Sequence, residues 1–305
     1  MRIRVFVILL LLTLVLVPLT LFGQGTIEQE TKPIVMVSIL PHAYFVDQIA
    51  GDLVETAVLV GEGQSPHSYE PSPSQMAELA KASLWILSGT DFEHALIDKV
   101  TSLYPDLTIV DGTEGMVFRT LEAHEHEHGE DEEEEEAHVH DLNIDRHTWL
   151  GWETSTVLAR NIQDALITSL GLPETVIKER TAQLITQIDE LFSSLQTELS
   201  DLAGSTVFVY HPAFGYFFDS FGIHQEAVET GGKEPTAKDL AALIEEAQEE
   251  HAKAIFVQKQ FPVASAEKIA QVVGAKVVAL DPLSYDWLDN IHLMGETLLE
   301  VQKNL

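Results

Sequence analysis

Residues 173–201 form the longest uninterrupted helical pattern in the chain. Leu184, Ile188, Leu191, Leu195, Leu199 and Leu202 recur at three- and four-residue steps. That spacing places them on one face of a helix. At 1.5 Å per residue the 29 positions span about 44 Å, long enough to cross a domain. On either side of this rod the chain alternates between short apolar runs and amphipathic segments. A rod flanked by two alternating blocks predicts two α/β halves, not one continuous sheet.

In the first half, strands are predicted at 34–40, 54–60, 84–88 and 107–110, with helices at 41–50, 74–82, 91–102 and 149–170. In the second half, strands at 206–210, 225–228, 255–258 and 276–280 alternate with helices at 213–221, 236–250, 264–273 and 285–303. Such alternation implies mostly parallel sheets covered by helices. The expected fold class is therefore α/β: two lobes with mostly parallel sheets flanked by helices, joined by one long linking helix. The expected domains are an N-terminal lobe at 26–172, the linking helix at 173–203 and a C-terminal lobe at 204–305.

Ahead of these lobes, Arg2 and Arg4 precede an apolar run over residues 5–22, followed by Gly23, Gln24 and Gly25. This is the pattern of an export signal, here residues 1–25. The run exceeds the usual apolar core of a signal, so an uncleaved membrane anchor is the alternative. Both place the protein outside the cytoplasm. The chain has no cysteine, which excludes disulfides, thiolate metal ligands and an N-terminal lipid anchor on cysteine. Its 49 acids against 17 bases give a formal net charge of −32. That charge argues against a nucleic-acid partner and suits the attraction of a cation.

A biased segment at 122–141 holds 11 acids together with His124, His126, His128, His138 and His140. It has no apolar periodicity and is expected to be a disordered loop. One reading is a solvated charge run. The other is a low-affinity metal loop, whose His-X-His spacing in a flexible chain gives weak, multiple and exchangeable binding.

In open α/β sheets, ligands bind beyond the carboxyl ends of the strands. His67 lies in the loop after the strand at 54–60, His211 directly follows 206–210, and Asp281 directly follows 276–280. His147 ends the long loop after 107–110. Two come from each half, so they can meet only in a cleft between lobes, a common location for a small-ligand site. Three imidazoles and one carboxylate would suit tetrahedral Zn²⁺, whereas Mn²⁺ prefers more oxygen. Position alone leaves the alternative of loop histidines satisfied by backbone hydrogen bonds. His42, His94, His224, His251 and His292 have no supporting motif and read as structural or surface residues.

Around the four candidates, the segments 65-SPHSYEPSPS-74, 145-DRHTWL-150, 210-YHPAFGYF-217 and 279-ALDPL-283 occur in that order. Together with 38-SILP-41, and Glu229 followed by Pro235-Thr236, they resemble the zinc/manganese-binding (cluster A-I) solute-binding proteins of metal ABC transporters. The resemblance runs from about residue 34 to 305. It implies His67, His147, His211 and Asp281 as metal ligands and Zn²⁺ as the bound ion, because His at the third position marks the zinc branch. It also implies a monomeric periplasmic protein that captures Zn²⁺ with high affinity and delivers it to an ABC-type import permease. Glu70 and Asp145 are candidates to orient ligand imidazoles through the second ring nitrogen, and Asp145 is alternatively a helix cap.

The alternatives are a manganese or iron transporter component, an adhesin, and a zinc hydrolase. Hydrolytic zinc keeps a position open for water, whereas Asp281 as a fourth ligand would close it. The sequence carries no HExxH, Gly-x-Ser-x-Gly or P-loop. No enzymatic activity is expected.

Overall fold

The computed structural model describes residues 32–121, 144–229, 237–260 and 264–304. The expectations for the leader at 1–25 and the biased segment at 122–141 lie outside the described residues.

The first lobe runs β1 (Ile34–Ile39), α1 (Leu40–Ala50), β2 (Glu55–Val60), α2 (Pro73–Leu79), β3 (Leu84–Leu87), α3 (Asp91–Leu103), β4 (Thr108–Asp111) and α4 (Trp152–Leu170). Its four strands are ordered β2-β1-β3-β4 and are all parallel. After α5 (Glu174–Glu198), the second lobe follows: β5 (Thr206–Val209), α6 (Gly215–Asp219), β6 (His224–Ala227), α7 (Ala237–Glu249), β7 (Ala254–Gln258), α8 (Ala264–Val273), β8 (Lys276–Leu280) and α9 (Trp287–Asn304). This sheet has the order β6-β5-β7-β8, again all parallel. The central strands β3 and β7 are buried along their whole length, as expected for parallel strands covered on both faces.

The linking helix is real but shorter than its sequence pattern. It covers 25 residues, and its buried face is Ile177, Thr181, Leu184, Ile188, Phe192 and Leu195. A 3₁₀ turn at Ser200–Leu202 follows and takes Leu202 off the predicted stripe. Phe192, absent from that stripe, stacks between Trp152 (5.6 Å between ring centroids) and Phe221 (5.8 Å). These three rings carry one apolar core from α4 through α5 into the second lobe. The shorter helix reflects backbone choice: after Glu198 the carbonyls are satisfied by tighter turns instead of a further α-helical repeat.

A second junction forms around Trp149, which the sequence assigned to the start of a helix. It lies instead in a 3₁₀ turn (Thr148–Leu150) preceding α4. Its indole N–H donates to the Pro282 carbonyl at 2.6 Å, and its own carbonyl accepts from the Trp287 indole N–H at 2.8 Å. Both rings are buried. Trp149→Phe keeps most of the packing but leaves a buried carbonyl unpaired. It is expected to lower unfolding stability by about 1–3 kcal/mol, readable from urea midpoints; an unchanged midpoint would remove this junction from the account.

Candidate metal centre

The loop carrying His67 is fixed at both ends. Gly61 N–H donates to Gln64 Oε1 at 2.9 Å. At the far end Ser72 caps α2 in a reciprocal box with Gln75, and Gln75 Nε2 also donates to the Leu59 carbonyl at 2.7 Å. Between these anchors, Pro66–Ser68 makes a single 3₁₀ turn. Tyr69 is buried there against Phe92, with centroids 4.9 Å apart. His67 is thus held at the mouth of the cleft, exposed on one side.

His147 precedes the Trp149 turn. Its backbone N–H donates to Asp145 Oδ1 at 3.0 Å, and its Nδ1 meets the same oxygen at 2.8 Å. Asp145 is wholly buried and serves the imidazole rather than capping the helix, whose N-cap is Gly151.

His211 follows β5, and the parallel register pairs Val209 with Ala227. Two residues further along both strands, His211 and Glu229 are neighbours, with Nδ1 and Oε2 3.0 Å apart. For His67 the approaching carboxylate is Asp91, the first residue of α3, 3.8 Å from Nδ1, while Glu70 lies exposed. The His67 ring beside Asp91 holds that carboxyl below its usual range, with Arg146 at 2.7 Å adding to the effect.

These placements bring three ligand atoms, one each from His67, His147 and His211, within 4.8 Å of one another. The ring centroids are 4.8 to 5.7 Å apart. With Nδ1 of His147 and His211 engaged by carboxylates, the lone pair is placed on Nε2. Burial above all, with the neighbouring His147 and His67 adding to it and Glu229 only partly opposing, lowers the His211 pKa to about 4. At neutral pH that imidazole is unprotonated, the form that ligates metal.

Asp281 is not part of this group. Its Oδ1 accepts from Gln260 Nε2 at 2.8 Å and from Leu283 N–H at 3.0 Å, and Lys259 Nζ stands 3.6 Å from Oδ2. Strand β7 separates β8 from β5, so the two backbones run about 10 Å apart. Of the five histidines without a motif, His42 takes the structural reading: it is fully buried in α1 beside Trp149. His94, His224, His251 and His292 lie outside the three-imidazole group.

Glu229 was visible in the sequence only as a supporting similarity, and Asp91 not at all. The signal for Glu229 was the parallel pairing of two consecutive strand runs, which brings their C-terminal residues side by side. No comparable sequence rule links Asp91 to a loop 24 residues away.

Two parallel α/β lobes on one helix, with imidazoles from both converging between them, define a two-lobed solute-binding protein. The sequence model of the periplasmic zinc-uptake complex component A (ZnuA) family matches residues 35–301, and the chain belongs to that family. A putative metal-binding protein of Chlamydia trachomatis is 25% identical over 267 residues, covering 87% of this chain and 90% of that protein. The zinc-binding protein AdcA of Streptococcus pyogenes is 28% identical over 83% of this chain, which spans only 51% of AdcA. Among solved structures, a crystal structure of ZnuA superposes with a TM-score of 0.79 at 28% identity, covering 88% of this chain and 98% of its own. A ZnuA deletion mutant with zinc bound gives the same values.

Among the described residues, no helix is long and apolar enough to cross a membrane.

Proposed function

We propose that this protein captures Zn²⁺ between its lobes in the periplasm and delivers it to the permease of an ABC importer. The observation that carries the reading is the convergence of His67, His147 and His211 from separate elements of both lobes. Zinc is the cargo, and nothing is transformed. Relatives in the family are named for zinc, and an all-nitrogen cluster favours Zn²⁺ over the oxygen-seeking Mn²⁺. A tetrahedral zinc with bonds of roughly 2.0–2.1 Å sets ligand nitrogens about 3.3 Å apart. Rings already this close therefore need only a small contraction to bind.

The fourth ligand in this proposal is Asp281, once its carboxylate exchanges Gln260 for metal, with water as the ligand before that exchange. The continuous Trp152–Phe192–Phe221 core favours limited lobe motion, with local adjustment around His147. Release then falls to the docked permease, which must distort the cleft. The segment at 122–141 serves as a weak reservoir that raises the zinc concentration near His147, and residues 1–25 direct export.

The test uses protein lacking residues 122–141, equilibrated with equal Zn²⁺ and Mn²⁺, desalted, and measured by elemental analysis. Close to one zinc per chain is expected. Retained manganese would move the protein to the other metal branch. Retention only when the deleted segment is restored would make that segment the binder and remove the interlobe site.

A further inference from the structure

Asp145 uses its two oxygens for different tasks. Oδ1 serves His147, while Oδ2 faces Arg119 Nη1 at 3.5 Å. Asp145 is completely buried and the Arg119 side chain is 14% exposed, so this pair is largely withdrawn from water. A carboxylate withdrawn from water is stabilised by a cation that offsets its lost hydration. Arg119 is placed to supply that charge.

Arg119 also crosses to the second lobe. Its Nε donates to Asp219 Oδ2 at 2.8 Å, and its backbone N–H donates to the Tyr216 hydroxyl at 2.9 Å. The same hydroxyl donates to the Asp145 carbonyl at 2.9 Å, and Asp145 N–H returns to the Arg119 carbonyl at 2.8 Å. The guanidinium lies so close over Gly215 that any Cβ there would overlap it. An isolated antiparallel bridge between Thr120 and Ile144 joins the two segments immediately beyond.

We propose that Arg119 is a positioning residue that fixes the Asp145–His147 pair and clasps it to the second lobe. Separating the lobes breaks the Asp219 and Tyr216 contacts, which removes one partner of the Asp145 carbonyl and the anchor of the guanidinium that faces its Oδ2. Lobe position and the aim of the His147 ring are thereby coupled. The inference rests on His147 being a zinc ligand, as proposed above. It adds a residue outside the cluster whose loss is felt through Asp145.

The test measures zinc affinity of the full chain by chelator competition, at free zinc too low to fill weak sites. The variants are Arg119→Gln, Asp145→Asn and the double substitution. Loss of a group that supports a metal-bound imidazole lowers affinity about 10- to 100-fold. Arg119→Gln is expected near the lower end of that range and Asp145→Asn near the upper end. If Arg119 acts through Asp145, the double variant is weaker than Asp145→Asn by no more than about twofold. A purely structural contribution would instead add in full, and that result overturns the proposal, as does an Arg119→Gln affinity within twofold of wild type.

Should Arg119→Gln fold poorly, Asp219→Asn, altered at a half-exposed carboxylate, carries the test. It is expected to release zinc about threefold faster on loss of one charge-assisted contact, and an unchanged rate overturns the clasp. A wild-type chain that holds no tight zinc would instead overturn the function on which this proposal rests.

Discussion

His211→Ala is expected to weaken zinc binding on the order of 10² to 10³-fold. Structural zinc sites contribute roughly 10–16 kcal/mol in total, so one of four ligands represents about 2.5–4 kcal/mol, and each 1.4 kcal/mol is tenfold. The loss should fall near the upper end of that range because the His211 imidazole is nearly free of competing protons, with its pKa lowered to about 4 by burial and by the two neighbouring rings. Glu229, 3.0 Å from Nδ1, already fixes the ring, so little ordering remains to be done on binding. Chelator competition on metal-free protein reads the effect directly. His211→Glu provides the contrast: replacing nitrogen by carboxylate oxygen should lower zinc affinity while narrowing the preference for zinc over manganese. Unchanged zinc affinity in the alanine variant would remove His211 from the site and leave the three-imidazole cluster without a function.

The sequence conveyed periodicity and order well, and long-range side-chain pairing poorly. The eight strands and the linking helix follow from apolar runs and spacing, which are local properties. His67, His147 and His211 were legible because strand ends in open sheets point to one crevice and the surrounding motifs agree. Phe192 was missed as the keystone of the interlobe core because it lies one position off the leucine stripe, and only the neighbouring Trp152 and Phe221 make it central. Trp149 read as the first residue of a helix because its backbone turn is 3₁₀ and its role is set by Pro282 and Trp287, more than 130 residues away.

Asp281 is the instructive case. Its position after a strand is as predicted, but its carboxylate satisfies Gln260 and Leu283, bonds that no spacing rule reveals. Until that carboxylate exchanges Gln260 for metal, the three imidazoles alone do not close a zinc against water. The family to which the chain belongs is that of the periplasmic zinc-uptake component A.

Between pH 7 and pH 5, His42 and His211 together should cost the metal-free protein about 4 kcal/mol of stability, half of it through a residue outside the proposed site. His42 sits in the first turn of α1, fully buried, with neither ring nitrogen hydrogen-bonded among the described residues. Burial without a partner lowers its pKa to about 3. His211 behaves similarly, at about 4. Both folded values lie below the unfolded value of about 6.5, so the unfolded chain takes up protons first. The stability from each neutral ring is fully present above pH 6.5 and is lost as pH falls toward the folded pKa. At pH 5 each group has given up about 1.5 pH units of linkage, or about 2 kcal/mol.

At roughly 2–4 °C per kcal/mol for a chain of this size, these two rings should lower the melting temperature by about 10 °C over that interval. His42→Phe removes the titrating ring while keeping an aromatic against Trp149. It should remove about 2 kcal/mol of the pH 7 to pH 5 loss and, by removing two unpaired buried nitrogens, leave the protein at least as stable at pH 7. Denaturant melts at the two pH values, compared between wild type and variant, isolate His42 from every other histidine in the chain. Equal losses in both proteins would show that His42 protonates without opposing the fold. The histidine share of the acid sensitivity would then rest on His211, whose folded pKa of about 4 also lies well below the unfolded value.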